Sequence, residues 1–384
     1  MNVRGLSREA DLAADTPITG GADVHNHRSV VGLDVHASQT QAAVLDVDTG
    51  ELVFRRINGA PRKALGYLAS LPTPVLATYE AGPVGYGLAR GAAEAGIDVR
   101  VCAPGSLPPR VDRIKTDRRD AERLARLLLA GELRFVRVPS PEEESFRDLA
   151  RCREAVRADL MRCRHRLSKF LLRRELRYEG RGSAWTEPHR SWLRALRLDD
   201  VASAAVLVDY LGAVGALEQR RSTLDAAIEE AAPASPWATT IARLRCMRGI
   251  NTLTAFGVCT EAGDLTRFRH PRALTAYFGI VPSEHSSGEA VRRGPITKAG
   301  SPHARRLLVE AAHHYRHRPA ISYSLERRQR GQDPRACEIA WRAQGRLHRQ
   351  WQRLRLDRGK PGNVVTVAIA RELCCFVWEV GQLD

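Results

Sequence analysis

Four acidic residues fall at the ends of regular elements, where side chains from separate elements can meet. Asp34 interrupts the apolar run at residues 30–35. An ionised carboxylate inside such a buried strand is costly unless it has a partner or lies at the sheet end. Glu80 ends a second apolar run, and Asp117 and Asp120 stand three residues apart on one face of a helix start. Such oxygen donors suit Mg²⁺ or Mn²⁺, and two-metal phosphoryl transfer requires a cluster of this kind.

Taken singly, each acid has a simpler explanation. An Asp at a strand end often caps a turn, and an Asp-x-x-Asp pair at a helix start complements the helix dipole. The hypothesis of a shared metal site therefore depends on all four acids lying at element ends of one α/β pattern.

The elements that must position these acids alternate along residues 29–140. Apolar runs predict strands, and amphipathic spacing predicts helices, with Thr116 as the N-cap of the last helix. The strands are expected at residues 30–35, 41–46, 52–57, 74–79 and 97–102, and the helices at 61–71, 84–95 and 117–130. The order β-β-β-α-β-α-β-α predicts a mixed sheet with helices packed on it. Residues 1–28 are polar and aperiodic, so we expect a disordered tail.

The charge balance favours a nucleic-acid partner. The chain has 60 Lys and Arg against 44 Asp and Glu, a net charge of +16. Arg predominates, and its guanidinium binds phosphate through two hydrogen bonds. The alternative explanation is a GC-rich genome that favours Arg codons. The eight Cys do not show zinc-ligand spacing, which favours a reducing cytoplasm and, with the charge, the nucleoid. We expect no membrane segment, since no strongly apolar run approaches the ~20 residues of a span.

Residues 141–232 change to a helical pattern. Apolar residues recur every three or four positions at 149–170 and again at 207–228, which predicts two long helices in a coiled-coil hairpin or dimerising arm. Arg162, Arg166 and Arg173 lie in the Arg-rich first helix and are candidates for contacts with a phosphate backbone. The alternative is a solvated charged face.

The last part of the chain, residues 233–384, follows a Pro-rich boundary and mixes short helices with Gly-rich turns. We expect it to be a mostly α-helical C-terminal domain. Residues 318–360 form a second basic segment and a second candidate nucleic-acid surface.

Several motifs resemble those of the insertion-sequence one-ten family of transposases, which includes the Piv-type invertases. GLDVH at residues 32–36, YEAG at 79–82 and KTDRRDA at 115–121 match the Asp-Glu-Asp-Asp (DEDD) motifs of that family. Downstream matches begin at RGI and continue as GDLTRF, YFGIVP, SSG and ITKAG between residues 248 and 300. The resemblance covers roughly residues 29–380 and implies an RNase H-like, RuvC-like N-terminal domain with a metal at Asp34, Glu80, Asp117 and Asp120.

The resemblance also implies a nucleophilic serine in the C-terminal domain. By motif position it is Ser287, just before Gly288, with the adjacent Ser286 leaving the register open by one residue. Arg292, Arg293 and Lys298 follow in the same Gly-flanked segment and could hold a phosphate. The alternative for this segment is a flexible polar turn.

The family cuts and rejoins DNA at the ends of mobile elements. Its metal cluster and serine come from different protomers, which implies a homo-oligomer, a dimer or a tetramer. A non-coding RNA guides target choice in part of the family. Two rival functions remain: a junction-resolving nuclease that uses only the four acids, and a catalytically inactive nucleic-acid-binding protein, against which the intact acids argue.

One position departs from the family pattern. The family usually has Gly-x-Gly at its hairpin, whereas Asn251 follows Gly249-Ile250 here. Asn tolerates the left-handed conformation, so we expect Asn251 to preserve the turn in that conformation.

Overall fold

A computed structural model describes residues 26–108, 116–284 and 293–384. They divide into two compact units. The first unit runs to Pro141 and includes Arg267–Ala273, and the second comprises Glu142–Thr266 and Leu274–Asp384.

The first unit is built on a five-stranded sheet in the order β3-β2-β1-β4-β5. The strands are β1 Ser29–Val35, β2 Gln39–Asp46, β3 Leu52–Asn58, β4 Val75–Glu80 and β5 Asp98–Cys102. The first three strands pair antiparallel, and β1, β4 and β5 pair parallel. The central strand β1 is covered on both faces, which explains its continuous apolar run.

Helices cover both faces of this sheet. They are α1 Ala64–Ala69, α2 Gly87–Glu94 and α3 Asp117–Leu129. Val31 and Leu33 of β1 share an apolar cluster with α1 and α2, whereas Val30 packs with α3. The Thr116 hydroxyl accepts a hydrogen bond from the Arg119 N–H, as expected of an N-cap. The predicted order β-β-β-α-β-α-β-α is confirmed.

The remaining described residues are mostly helical. The helices are α4 Pro141–Leu172, α5 Glu187–Ala195, α6 Val201–Ala231, α7 Ala238–Leu244, α8 Thr252–Ala262, α9 Pro271–Tyr277, α10 Pro302–Ala312, α11 Tyr323–Gln329, α12 Pro334–Gln352 and α13 Gly362–Gly381. The short strands β6 Pro282–Glu284 and β7 Arg293–Ile296 pair antiparallel.

The long helices α4 and α6 pack side by side. Leu160 and Cys163 of α4 lie in one apolar cluster with Val214 of α6, and the rings of Phe170 and Tyr210 meet edge to face with centroids 5.6 Å apart. The sequence predicts the bend between the helices at residues 180–188; in the structure the connection also holds α5, which begins at Glu187 and runs beyond that range.

One described helix, Val201–Ala234 with its final short turn, is long and apolar enough to cross a membrane. Its most apolar window has a mean hydropathy of 1.5 and is 17% buried. The expectation that no such run exists is wrong by length and composition, because Ala residues lengthen the apolar segment beyond its branched side chains. A single helix of this kind is weak support for a membrane segment.

A buried ionic network ties α4 to α8 and α10 within the second unit. The Glu261 carboxylate is 1% exposed and accepts hydrogen bonds from the Arg151 guanidinium at 3.0 and 3.1 Å. His303 of α10 lies 3.5 Å from the same carboxylate. Burial alone would raise the pKa of Glu261, but hydrogen bonds from His303 and Arg151 hold it well below its ordinary value.

Replacing Glu218 on α6 with Gln should destabilise the second unit at neutral pH. Its carboxylate binds Arg190 at 2.7 and 2.8 Å and also binds Arg164. The hydrogen bond from Arg190, aided by Arg164, lowers the pKa of Glu218 from 4.5 to about 2. A lowered pKa contributes stability that is present above the unfolded pKa and lost as the pH falls toward the folded one.

We therefore expect Glu218→Gln to reduce the free energy of unfolding by about 2 kcal/mol at pH 7, and by less at pH 3. Urea unfolding followed by circular dichroism measures both values. Glu229→Gln, at an exposed position of the same helix, is the control and should change little. A deficit for Glu218→Gln that is equally large at pH 3 would refute the ion-pair explanation.

Candidate metal centre and nucleic-acid-binding residues

Asp34 lies near the start of α3 because this helix packs directly on β1. Alternate residues of a strand share a face, so Val30, Gly32 and Asp34 face the same side of the sheet, where Val30 packs with α3. A Cβ added at Gly32 would lie only 2.0 Å from the Ala121 carbonyl oxygen and 2.4 Å from the Ala125 nitrogen. The glycine therefore permits a backbone approach that brings the start of α3 to the end of β1.

This close packing of α3 on β1 brings two of the four acids, Asp34 and Asp117, near enough to bind one metal ion. Ligand atoms of Asp34, His36 and Asp117 all lie within 4.8 Å of one another. The His36 Nε2 atom is 3.4 Å from Asp34 Oδ2 and 3.8 Å from Asp117 Oδ1. His36 was not predicted from the sequence, although it ends the GLDVH motif.

The other two acids lie outside that group. Asp120 is in the first turn of α3 and is close enough for its charge to raise the pKa of Asp34. Glu80 ends β4 with an exposed side chain. Leu33 pairs with Tyr79 in the parallel β1–β4 register, so Glu80 and Asp34 are the next residues on adjacent strands. The assignment of all four acids to one site stays a prediction.

Electrostatics indicate that the cluster suits a cation. Burial raises the pKa of Asp34, the carboxylates of Asp117 and Asp120 raise it further, and His36 partly opposes them. A cation held by these groups would relieve the repulsion between the carboxylates. Carboxylate oxygens suit Mg²⁺, and an imidazole nitrogen beside them also suits Mn²⁺, so the residues present fit a divalent metal.

The predicted nucleophile Ser287, its neighbour Ser286 and the candidate phosphate ligand Arg292 lie outside the described residues. The backbone of Arg293 begins β7. The remaining candidate, Lys298, is exposed and follows that strand.

Residues 298–300, here called the Lys298 loop, pack closely against the backbone of residues 277–279. The Lys298 N–H donates to the Gly279 carbonyl at 3.1 Å, and Lys298 itself has a φ of 57°. Gly279 also has a positive φ, and a Cβ there would lie 2.3 Å from both the nitrogen and oxygen of Ala299. Arg305 donates to the Phe278 carbonyl at 2.9 Å and to the Ala299 carbonyl. The loop that carries Lys298 is therefore fixed although its side chain is exposed.

Asn251 preserves the turn differently from the expectation. Its φ of −103° and ψ of −175° are extended, and its side-chain oxygen accepts the Thr254 N–H at 3.0 Å. It is therefore the N-cap of α8, a role that Asn fills well, and the expectation of a left-handed Asn251 was wrong.

The Arg residues of α4 divide into two groups. Arg153 and Arg157 pair with Asp225 and Glu154 inside the second unit. Of the candidates, Arg162 is exposed and pairs with Asp159 three residues earlier. Arg166 and Arg173 are exposed and have no ion-pair partner among the residues that the structure describes, so they can contact phosphate without breaking a salt bridge.

Asp34→Asn should stabilise the metal-free protein at neutral pH. A folded pKa raised above the unfolded one contributes stability at low pH that is lost as the pH rises through the folded value. The neutral amide removes this loss, so thermal unfolding in EDTA should give a melting temperature a few degrees higher for the variant at pH 7, with the difference closing in acid. Added Mn²⁺ should stabilise only the wild type. A variant that is less stable than the wild type in EDTA at pH 7 would contradict the crowded-carboxylate account.

Comparisons with known proteins agree with the geometry. A family model described as Transposase IS116/IS110/IS902 family matches residues 241–324. A second transposase model, that of DEDD transposases of IS110 elements, matches residues 31–174 and so includes all four acids.

Full-length relatives extend the match to nearly the whole chain. A putative transposase of Sinorhizobium fredii, y4qE, is 37% identical over 95% of this chain and 92% of its own length. The transposase for insertion sequence element IS1533 of Leptospira borgpetersenii is 31% identical over 86% of this chain and 97% of its own length. A probable family 20 transposase of Pseudomonas aeruginosa is 29% identical over 91% of this chain and 96% of its own length. The chain belongs to the IS110/IS116 family of transposases, enzymes that act on DNA.

Proposed function

We propose that this protein cuts and rejoins DNA at the ends of a mobile element by phosphoryl transfer. The observation that carries the proposal is the convergence of Asp34 and Asp117 from two separate elements of the first unit. Asp120 and Glu80 are the further donors, and Mg²⁺ or Mn²⁺ is the metal.

The domain assignment belongs to the same proposal. Residues 1–25 of the predicted N-terminal tail lie outside the described residues, and we assign residues 29–140 to an RNase H-like, RuvC-like domain. Its mixed sheet supports this assignment, because Asp34 and Glu80 follow paired residues of adjacent parallel strands. Residues 141–232 form a coiled-coil arm, and residues 233–384 form the transposase domain that carries the serine.

The acids and cations have complementary roles in this chemistry. A divalent cation bound at the cluster would offset charge on the scissile phosphate and lower the pKa of the attacking hydroxyl. Asp34 and Asp117 hold that cation, and the sheet and α3 fix their positions before DNA binds. Lys298, together with Arg292 and Arg293, offsets the charge that develops on the phosphate oxygens.

The nucleophile in this proposal is the hydroxyl of Ser287. Its Oγ forms a bond to phosphorus, one phosphorus–oxygen bond of the DNA strand breaks, and the leaving oxygen takes up a proton. The phosphodiester is thereby conserved as a protein–DNA ester, so the strand can be rejoined without an external energy source. A free serine hydroxyl is a weak nucleophile, which explains why the acidic cluster and the serine belong to one enzyme.

A homo-oligomer and a guide RNA complete the proposal. Val201 and Val208 on α6 are 87% and 70% exposed, and a coiled coil with a second copy would cover such side chains. The exposed Arg166 of α4 and the exposed Arg173, which follows the last residue of that helix, suit a phosphate backbone, whether of DNA or of a structured RNA. The protein would act in the cytoplasm, on the nucleoid.

A junction-resolving nuclease is the alternative function. One observation favours it: Asp34, His36 and Asp117 all lie in the first unit, so water could attack a phosphate there without any group from the second. The two functions differ in whether DNA becomes joined to the protein.

Ser287→Ala should therefore abolish a covalent protein–DNA complex, whereas Ser286→Ala should retain it. The complex can be trapped on a nicked suicide substrate that carries an element end and mapped by peptide mass after digestion. Asp34→Asn should also lose the complex, because the hydroxyl then lacks activation. Normal cleavage by Ser287→Ala would show that water or a DNA hydroxyl is the nucleophile, and cleavage without rejoining would support the nuclease function.

Replacing Arg162, Arg166 and Arg173 together should weaken the salt dependence of nucleic-acid binding. Each phosphate contact contributes close to one unit to the slope of log affinity against log salt. We expect the slope to fall by two to three units, about one per contact, since Arg162 must leave Asp159 to reach a phosphate. Fluorescence anisotropy with a random-sequence duplex at several salt concentrations measures it.

Arg157→Gln on the same helix is the control for that measurement. Its guanidinium already binds Glu154 at 2.9 Å, so removing it should leave the slope unchanged. A triple variant whose slope equals that of the wild type would show that this face of α4 is only solvated.

A further inference from the structure

We infer that Gln39 is a positioning residue that fixes Asp117 for cation binding and is itself held by Arg56. The Gln39 side-chain Nε2 donates a hydrogen bond to Asp117 Oδ2 at 3.1 Å. The Arg56 guanidinium donates to the other end of the same amide, Gln39 Oε1. This inference rests on the proposed metal centre and assigns two residues that are absent from its acid motifs.

Asp117 is the acid of the pair that most needs such support. It is the first residue of α3, and its side chain is 47% exposed, against 23% for Asp34 on the central strand. An exposed carboxylate on a helix end retains rotamer freedom, which cation binding would have to remove. A hydrogen bond that already holds the carboxylate lowers that cost, because the ligand is preorganised.

One carboxylate oxygen of Asp117 accepts the hydrogen bond from Gln39, and the other faces the candidate metal group. Gln39 binds Oδ2, whereas Oδ1 is the atom that lies 3.8 Å from His36 Nε2 within the candidate metal group. One oxygen is thus anchored while the other stays directed at the cluster. This is the usual arrangement of a ligand carboxylate that is oriented by a hydrogen-bonding neighbour.

An amide suits this position because it offers a donor and an acceptor at once. Arg56 can only donate, so it binds the amide oxygen and leaves the amide NH₂ directed at Asp117. Glutamate at position 39 could still accept from Arg56, but it could not donate to Asp117 and would add a further negative charge beside the carboxylates. A neutral amide therefore orients the acid without either repelling it or competing with the cation.

The sheet register brings the chain of contacts together. Gln39 is the first residue of β2 and pairs with Asn58 of β3, and Arg56 lies two residues before Asn58 on β3. Such diagonal neighbours lie on the same face within reach of a long side chain. The chain Arg56–Gln39–Asp117 therefore links β3 and β2 to the start of α3.

The test is Mn²⁺ binding to the full-length protein, measured by electron paramagnetic resonance of the free ion without any DNA. We expect Gln39→Leu to weaken Mn²⁺ binding about 10- to 100-fold, the usual cost of losing such a neighbour. Gln39→Glu should weaken binding at least as much. Gln219→Leu, at an exposed amide on α6 of the second unit, is the control, and Mn²⁺ binding should be unchanged.

A double-mutant cycle separates positioning from a general loss of structure. Arg56→Met should weaken Mn²⁺ binding in the wild type but have no further effect when combined with Gln39→Leu, because both act through one chain. Thermal unfolding in EDTA checks that the variants remain folded. If the wild type binds Mn²⁺ and Gln39→Leu binds it with the same affinity, this inference is overturned while the metal centre stands. A wild type that binds no Mn²⁺ would overturn the metal centre and the inference with it.

Discussion

The close approach of α3 to β1 is the constraint on which the candidate metal centre depends. Gly32 faces Ala121 and Ala125 of the helix across a gap that has no room for a Cβ. Gly32 also pairs with Ala43 of β2, which lies in one cluster with the same two alanines. Small side chains on both sides of the contact let the helix lie low on the sheet. Its first turn then reaches the end of β1, where Asp34 lies.

The close packing of α3 on β1 destabilises the ionised form of Asp34. Burial at the end of β1 raises the pKa of Asp34, and the carboxylates of Asp117 and Asp120, which the approach brings near, raise it further. A site that is strained when empty and relieved by a cation is typical of functional centres, where stability gives way to activity. The second unit shows the opposite arrangement, because its buried Glu261 and half-buried Glu218 are compensated by Arg residues.

The elements of the first unit could be predicted from sequence because their signals are local. Apolar runs define the strands, and Thr116 marks the start of α3. Placement at element ends, together with the family resemblance, singled out Asp34 and Asp117. Local patterns could not show that His36 and Gln39 contact them, since polar residues at strand ends usually only face solvent. Nor could sequence separate Arg157, which pairs with Glu154, from Arg166, which does not. That difference depends on which acids the fold brings near each helix face.

Glycines that allow close backbone packing are found again beside Lys298, the candidate phosphate ligand of the second unit. Gly279 and Gly300 flank the Lys298 loop, and a Cβ at Gly300 would lie 2.0 Å from the Tyr277 carbonyl oxygen. The backbone of residues 298–300 therefore packs directly on that of 277–279, much as α3 packs on Gly32. At both places the glycines permit the close backbone packing, and the charged residue beside them is the proposed functional group. The backbone approach that positions Asp34 and Lys298 thus explains the glycines of the GLDVH, YFGIVP and ITKAG motifs.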